Sequence, residues 1–217
     1  MKTATVPKIF DRETRPGLKD VSRKLDLYGA QIDIDTINWP QFDYAPKVKT
    51  LLGYGNKELY LKYFVDDKYF VARNKETNQN IYEDSCVEFF VAPSDDGYYN
   101  FEINAIGACL MGFGPSKEDR ERVNPEIVSK IRRLSSFGKK AQEEEIRDVQ
   151  WNIVIAIPFG VFFNHQIKDL SGCQIKANFY KCGNRLSVPH YLSWNPITTE
   201  KPNFHKPENF GLLVFQK

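Results

Sequence analysis

Cys86-Val-Glu-Phe-Phe-Val-Ala-Pro-Ser-Asp-Asp-Gly-Tyr-Tyr-Asn-Phe-Glu-Ile-Asn-Ala105 is the stretch that decides the fold class. Val87, Phe89 and Val91 alternate with Glu88 and Phe90, and Tyr99, Phe101, Ile103 and Ala105 alternate with Tyr98, Asn100, Glu102 and Asn104. A period of two belongs to a strand, whose successive side chains point to opposite faces. Between the two runs, Pro93-Ser-Asp-Asp-Gly97 has the residues of a hairpin connection. The stretch therefore predicts an antiparallel pair with Glu88 and Glu102 on one face, beside Asn100, Asn104 and the nearby Tyr82. Two carboxylates, two amides and an aromatic ring are the mixture that binds sugars: rings cover the C–H face, and polar groups take hydrogen bonds from hydroxyls. Alternation also gives an ordinary antiparallel sheet one solvated side, so the face by itself leaves both readings open.

The same period continues outward. Ala30 to Ile37 and Glu58 to Val65 alternate, the latter with Leu59, Leu61, Tyr63 and Val65 on one side, and Asp66-Asp67 predicts a turn into Lys68–Arg73. Trp151, Ile153, Ile155 and Ile157 form an inner face that stops at Pro158. Cys173 to Lys181 turns Gln174, Lys176, Asn178 and Tyr180 outward, and Phe210 to Phe215 reads as the last strand. Ser116-Lys-Glu-Asp119 has the pattern of a capping box and predicts one short helix ending at Pro125. Residues 126–134 fit either period and are taken as an edge strand. The charged run 139–148 reads as a solvated loop or short exposed helix, and residues 1–29 as an irregular lead-in. The expectation is an all-β chain, an antiparallel β-sandwich of jelly-roll or immunoglobulin-like type with one short helix, forming a single domain over residues 1–217.

The chain has 217 residues, and 30 Lys and Arg against 28 Asp and Glu leave a net charge of +2. That balance gives no field for nucleic acid, and no apolar run approaches the ~18 residues of a membrane-spanning helix. The N-terminal segment lacks the apolar core of a signal peptide. The chain is thus expected to be cytoplasmic if Met1 is its native start, and secreted or periplasmic otherwise. Cys86, Cys109, Cys173 and Cys182 show no spacing of a zinc motif. Cys173 and Cys182 bracket one strand, so their ends would lie roughly 30 Å apart at about 3.3 Å per residue, and free thiols are expected. Asp66-Asp67 and Asp95-Asp96-Gly97 offer oxygen ligands for calcium, although acidic pairs in turns are commonly just solvated. His165, His190 and His205 have no metal-ligand spacing and are expected in loops and at the surface, with His205 a candidate donor to a sugar hydroxyl. Trp39, Trp151 and Trp194 are expected in the core.

Glu58-Leu-Tyr-Leu-Lys-Tyr-Phe-Val-Asp-Asp67, Tyr82-Glu-Asp-Ser-Cys-Val-Glu-Phe-Phe-Val91 and Tyr98-Tyr-Asn-Phe-Glu-Ile-Asn-Ala-Ile-Gly107 together resemble the family 9 carbohydrate-binding modules. So do Trp151-Asn-Ile-Val-Ile-Ala-Ile-Pro158, Ser193-Trp-Asn-Pro196 and Phe204-His-Lys-Pro-Glu-Asn-Phe-Gly211, and the ordered set runs from about Ile32 to Phe215. The resemblance implies a β-sandwich that binds oligo- or polysaccharide without cleaving it, often as an appendage of xylan-degrading enzymes, with structural calcium in some members. This chain looks more like the free-standing bacterial proteins of that type, which implies a part in polysaccharide catabolism. By the same resemblance the aromatic clamp falls on Tyr82 and Phe204, the sugar-binding glutamate on Glu88, and the Arg-x-Asn pair on Glu102 and Asn104. Two departures stand out: both clamp positions are tryptophan in sugar-binding members, and an arginine donor has become a glutamate acceptor.

Two other classes remain in view. Glu88 and Glu102 on neighbouring strands match the about 5 Å separation of a retaining glycosidase pair, one of which would need a raised pKa. A protein-interaction module using a sheet edge or the run at Glu143 is the third. The chain is expected to be a monomer or weak homodimer, with no resident cofactor and no nucleic-acid or membrane partner.

Overall fold

The computed structural model of the chain describes residues 1–11 and 15–217. In chain order its elements are β1 (Thr3–Val6), β2 (Lys8–Phe10), α1 (Leu18–Tyr28), β3 (Ala30–Asp33), β4 (Thr36–Ile37), β5 (Lys47–Gly55) and β6 (Glu58–Ala72). There follow β7 (Cys86–Ser94), β8 (Gly97–Asn104), β9 (Cys109–Gly114), β10 (Glu121–Arg122), α2 (Pro125–Val128), β11 (Arg132–Ser135), β12 (Gln142–Pro158), β13 (Gln174–Gly183), β14 (His190–Ser193) and β15 (Gly211–Phe215). One sheet runs β1-β15-β13-β7-β8-β9-β10, with β14 and β4 beside β13, and the other runs β11-β12-β6-β5-β2, with β3 beside β5. The pairing is antiparallel except at β1 with β15 and β2 with β5. The expected β-sandwich is what forms.

Its main core lies where the inward faces meet. Phe89 stacks between Phe101 and Phe179 at 5.9 and 5.0 Å, and Leu61, Tyr63, Trp151, Ile153 and Ile155 close on them from the other sheet. The predicted hairpin 86–105 forms with Glu88 and Glu102 on one face as expected, and an irregularity between Val91 and Ser94 sets the register that puts Glu88 opposite Glu102 and Cys86 opposite Asn104.

Several local expectations are corrected. The lead-in 1–29 is not irregular, apart from residues 12–14, which lie outside the described residues: it supplies β1, β2 and α1. Val21 and Leu25 of α1 are buried against Ile9, Leu51, Tyr60, Val154 and Ala156, on the outer side of the second sheet. The Leu18, Val21, Leu25 spacing carried this signal, but short β-like runs on either side masked it. Because α1 covers that face, the polar side of Glu58–Val65 is buried too. Lys62 reaches Asp26 of α1 at 2.7 Å, and Glu58 pairs with Arg132 at 2.6 Å.

Asp66-Asp67 makes no turn: β6 runs straight through, because Asp67 has a buried partner. The capping box does form, Asp119 N donating to Ser116 Oγ at 3.1 Å, but in a non-helical turn. Pro125 starts a helix instead of ending one, since Asn124 Oδ1 caps Glu126 N at 2.8 Å and proline suits a first helical position. Residues 126–134 therefore divide between α2 and β11. Residues 142–148 of the charged run 139–148 are the exposed half of β12, held in strand by pairing with β6.

A buried polar cluster joins the two sheets. Lys181 of β13 lies 3.1 Å from Asp67 of β6 and 2.6 Å from His190 Nε2, and Tyr44 donates to Asp67 at 2.8 Å. Lys181 and His190 are 0% exposed, which corrects the surface reading of His190. Burial alone would raise the Asp67 carboxyl, but Lys181, His190 and Tyr44 overcome it and hold the group below the ordinary carboxylate range.

Candidate functional site

The polar face of the 86–105 hairpin is not solvated. Asn100 and Asn104 are 0% exposed, Glu102 2% and Glu88 3%. A second apolar layer covers the face, in which Trp39, Phe42, Ile81, Tyr191, Ile197, Phe204 and Phe210 pack over Phe90, Tyr98 and Tyr180. The layer leaves one gap, a cavity of about 190 Å³. Glu88, Glu102 and Cys182 form its floor, on the adjacent strands β7, β8 and β13. The walls are Tyr82 from a 3-10 turn, Lys117 and Arg120 from the β9–β10 connection, Asn184 and Tyr191 near β14, and the segment Pro202–His205.

Four of the five residues expected at a sugar site therefore meet in one place: Tyr82, Glu88, Glu102 and Phe204. Asn104 is not among the residues lining the cavity. Its amide donates to Asn74 O and Asp84 Oδ2, both at 2.8 Å, and its oxygen accepts from Ala108 N at 2.9 Å, so the side chain is held by the Asn74 and Ala108 backbone and the Asp84 carboxylate. Phe204 lines the cavity but is no open platform. Tyr180 stacks on it at 4.2 Å and 9°, and Trp39 and Tyr191 close around it. Tyr82 is half-buried and lines the cavity.

Arg120, His205, Asn184 and Lys117 were not marked by any motif, apart from the reading of His205 as a sugar donor. Two glycines admit Arg120. A Cβ on Gly112 would lie 2.6 Å from Asn100 Oδ1 and 2.9 Å from Arg120 Cδ, and one on Gly114 would lie 2.5 Å from Arg120 Cα. Without side chains there, the loop folds back on β9 and sets the guanidinium 3.6 Å from Glu102 and 2.9 Å from His205 Nε2. An arginine can only donate, so Nε2 accepts; the proton then sits on Nδ1, which donates to Tyr98 OH at 2.9 Å. Burial, with Arg120 and Lys117 nearby, lowers His205 to about 3, so the ring is a neutral acceptor.

The two glutamates differ. Burial, reinforced by Cys182 and Glu102, holds Glu88 well above the ordinary carboxylate range, and Cys182 Sγ donates to its Oε1 at 2.9 Å. Burial also pushes Glu102 up, to about 7, against the pull of Arg120, Arg122 and the Asn100 amide. Burial thus favours the protonated acid at Glu88, while Arg120 favours the carboxylate at Glu102. Two buried acceptors at the cavity, Glu102 Oε2 and Asn184 Oδ1, have no donor among the described residues.

The sequence model of carbohydrate-binding family 9 matches residues 23–215. The chain belongs to carbohydrate-binding family 9. A protein of Bacteroides uniformis described as a candidate carbohydrate-binding protein is 37% identical, with a TM-score of 0.94 over 99% of both chains. A family 9 module of Caldicellulosiruptor kristjanssonii in complex with glucose has a TM-score of 0.57 at 12% identity, over 99% of this chain and 96% of that one. The same organism's module with cellotriose gives 0.53 at 12% identity, over 99% and 94%. At that identity they show the shared family 9 fold. No curated protein sequence matches the chain.

Proposed function

We propose that the chain binds a glycan without cleaving it, seating one sugar ring in the cavity above Glu88 and Glu102. The observation that carries this reading is the pair of buried acceptors without donors among the described residues, Glu102 Oε2 and Asn184 Oδ1. An unpaired buried acceptor costs about 1–3 kcal/mol, and sugar hydroxyls are donors that would satisfy both at once. The size supports a single ring: about 190 Å³ falls below the roughly 300 Å³ of the smallest drug-sized pockets. Arg120 and Lys117 supply donors at the walls, and Tyr82 adds an aromatic ring to the lining.

A hydrolase has one observation in its favour, two opposed carboxylates with different protonation. Their placement argues against it. Glu88 and Glu102 project from the same face of neighbouring strands, so both reach a ligand from below, whereas a glycosidase pair flanks the scissile bond.

Calorimetry against a panel of oligosaccharides including glucose, cellotriose and xylo-oligosaccharides, with released reducing ends assayed in the same mixtures, tests the proposal. Binding without turnover supports it; turnover lost in Glu102→Gln sinks it. Tyr82→Ala should weaken binding about fivefold, the ~1 kcal/mol of an aromatic contact, with the melting temperature unchanged. Phe204→Ala should instead lower the unfolding free energy by about 3–5 kcal/mol, because its buried ring is packed on three sides. Asn104→Ala should cost about 1–3 kcal/mol of stability through the orphaned Ala108 amide and lost Asp84 donor, with affinity retained in the folded fraction.

A further inference from the structure

Cys86 and Cys182 stand directly opposite each other on β7 and β13, and Glu88, two residues along, shares their face. Two Sγ atoms and one carboxylate oxygen from these residues lie within 4.8 Å of one another. Among the described residues no other group of His, Cys, Asp and Glu is gathered in this way. All three side chains are buried, yet Glu88 and Cys182 line the cavity, so the cluster has one open side. Glu102, opposite Glu88, adds on that side a buried oxygen without a partner among the described residues. Sugar recognition gives two thiols no task here, since they are weak hydrogen-bonding groups and a small apolar residue would fill the space equally well.

We propose that Cys86, Cys182 and Glu88 bind a thiophilic divalent cation of the zinc class at the cavity floor, with the fourth position open to the cavity. At about 2.3 Å for metal to sulfur and about 2.0–2.2 Å for metal to oxygen, a tetrahedral site needs ligand atoms about 3.3–3.8 Å apart. Atoms already confined within 4.8 Å reach that spacing by small side-chain adjustments on a rigid sheet. Two sulfurs favour zinc over calcium, which takes oxygen ligands. Binding breaks two S–H bonds and the Glu88 O–H bond, forms two metal–sulfur bonds and one metal–oxygen bond, and releases the protons to solvent. No electrons move and no oxidant is needed.

The test is titration of the full, reduced chain with Co2+ as a spectroscopic probe and with Zn2+ in competition. The expected result is one ion per chain, a cobalt–thiolate charge-transfer absorption, displacement by Zn2+ but not by Ca2+, and loss of the absorption in the Cys86→Ser/Cys182→Ser variant. Zn2+ should also slow alkylation of Cys86 and Cys182, read by mass spectrometry on the unaltered chain, which needs no variant to fold. Absence of the thiolate absorption, its persistence in the double variant, or unprotected alkylation under saturating Zn2+ would each overturn the proposal. Sugar affinity measured separately in chelator keeps a failure here distinct from a failure of the glycan reading.

Discussion

Lys181→Met is expected to destabilise the protein by about 3–5 kcal/mol, because it leaves Asp67 as an uncompensated charge inside the sandwich. Both partners are fully buried, so solvent screening gives no relief. For a chain of this length the loss corresponds to a melting temperature lower by roughly 6–20 °C. Asp67→Asn combined with Lys181→Met should recover part of the loss by removing the stranded charge. The pH dependence gives a second readout. In the parent, burial and Lys181 lower His190 to about 3, so the unfolded chain takes up that proton first, and this residue's contribution is lost as pH falls from about 6.5 toward 3. With Lys181 gone, His190, 3.9 Å from Asp67, is relieved of the neighbouring cation, and its folded pKa should rise from the parent's lowered value. The deficit of the variant relative to the parent should therefore shrink as the solution is made acidic. Equal urea midpoints for parent and Lys181→Met at pH 8 would show that the cluster contributes nothing.

Arg120→Met should reduce glycan affinity about 10- to 150-fold, the range of a hydrogen bond to a charged group at about 1.5–3 kcal/mol. Two losses combine. The cavity loses a donor, and Glu102 loses the cation that keeps its carboxylate ionised against burial. His205 also loses the donor to its Nε2 and is free to turn. In the parent, affinity should fall as the pH drops through about 7, because protonating Glu102 removes an acceptor. Arg120→Met should move that midpoint upward, and Glu102→Gln should flatten the profile. Calorimetry from pH 5.5 to 8.5 with one bound oligosaccharide reads all three. An unchanged Kd in Arg120→Met, with the fold intact, would place the sugar elsewhere.

The alternation in 86–105 determined by itself that Glu88 and Glu102 share a face, since the period of two sorts the side chains of each strand, whereas their direct pairing needs the irregularity between Val91 and Ser94 that shifts the register by one residue. The same local logic determined the sandwich and the inward faces of β6, β12 and β13, and the ordered motifs determined the family. Tertiary structure alone decided what lies over each face. Periodicity tells which side chains share a side of a strand, but not whether water or another segment covers it. Hence the face read as possibly solvated is roofed by residues near 39 and 204, and the outer side of β6 lies under α1. Contacts across long sequence separations escaped for the same reason: Cys182 to Glu88 spans 94 residues and Arg120 to His205 spans 85. No local pattern specifies such pairs, because what joins them is the hydrogen bonding of β13 to β7 and the close approach permitted by Gly112 and Gly114.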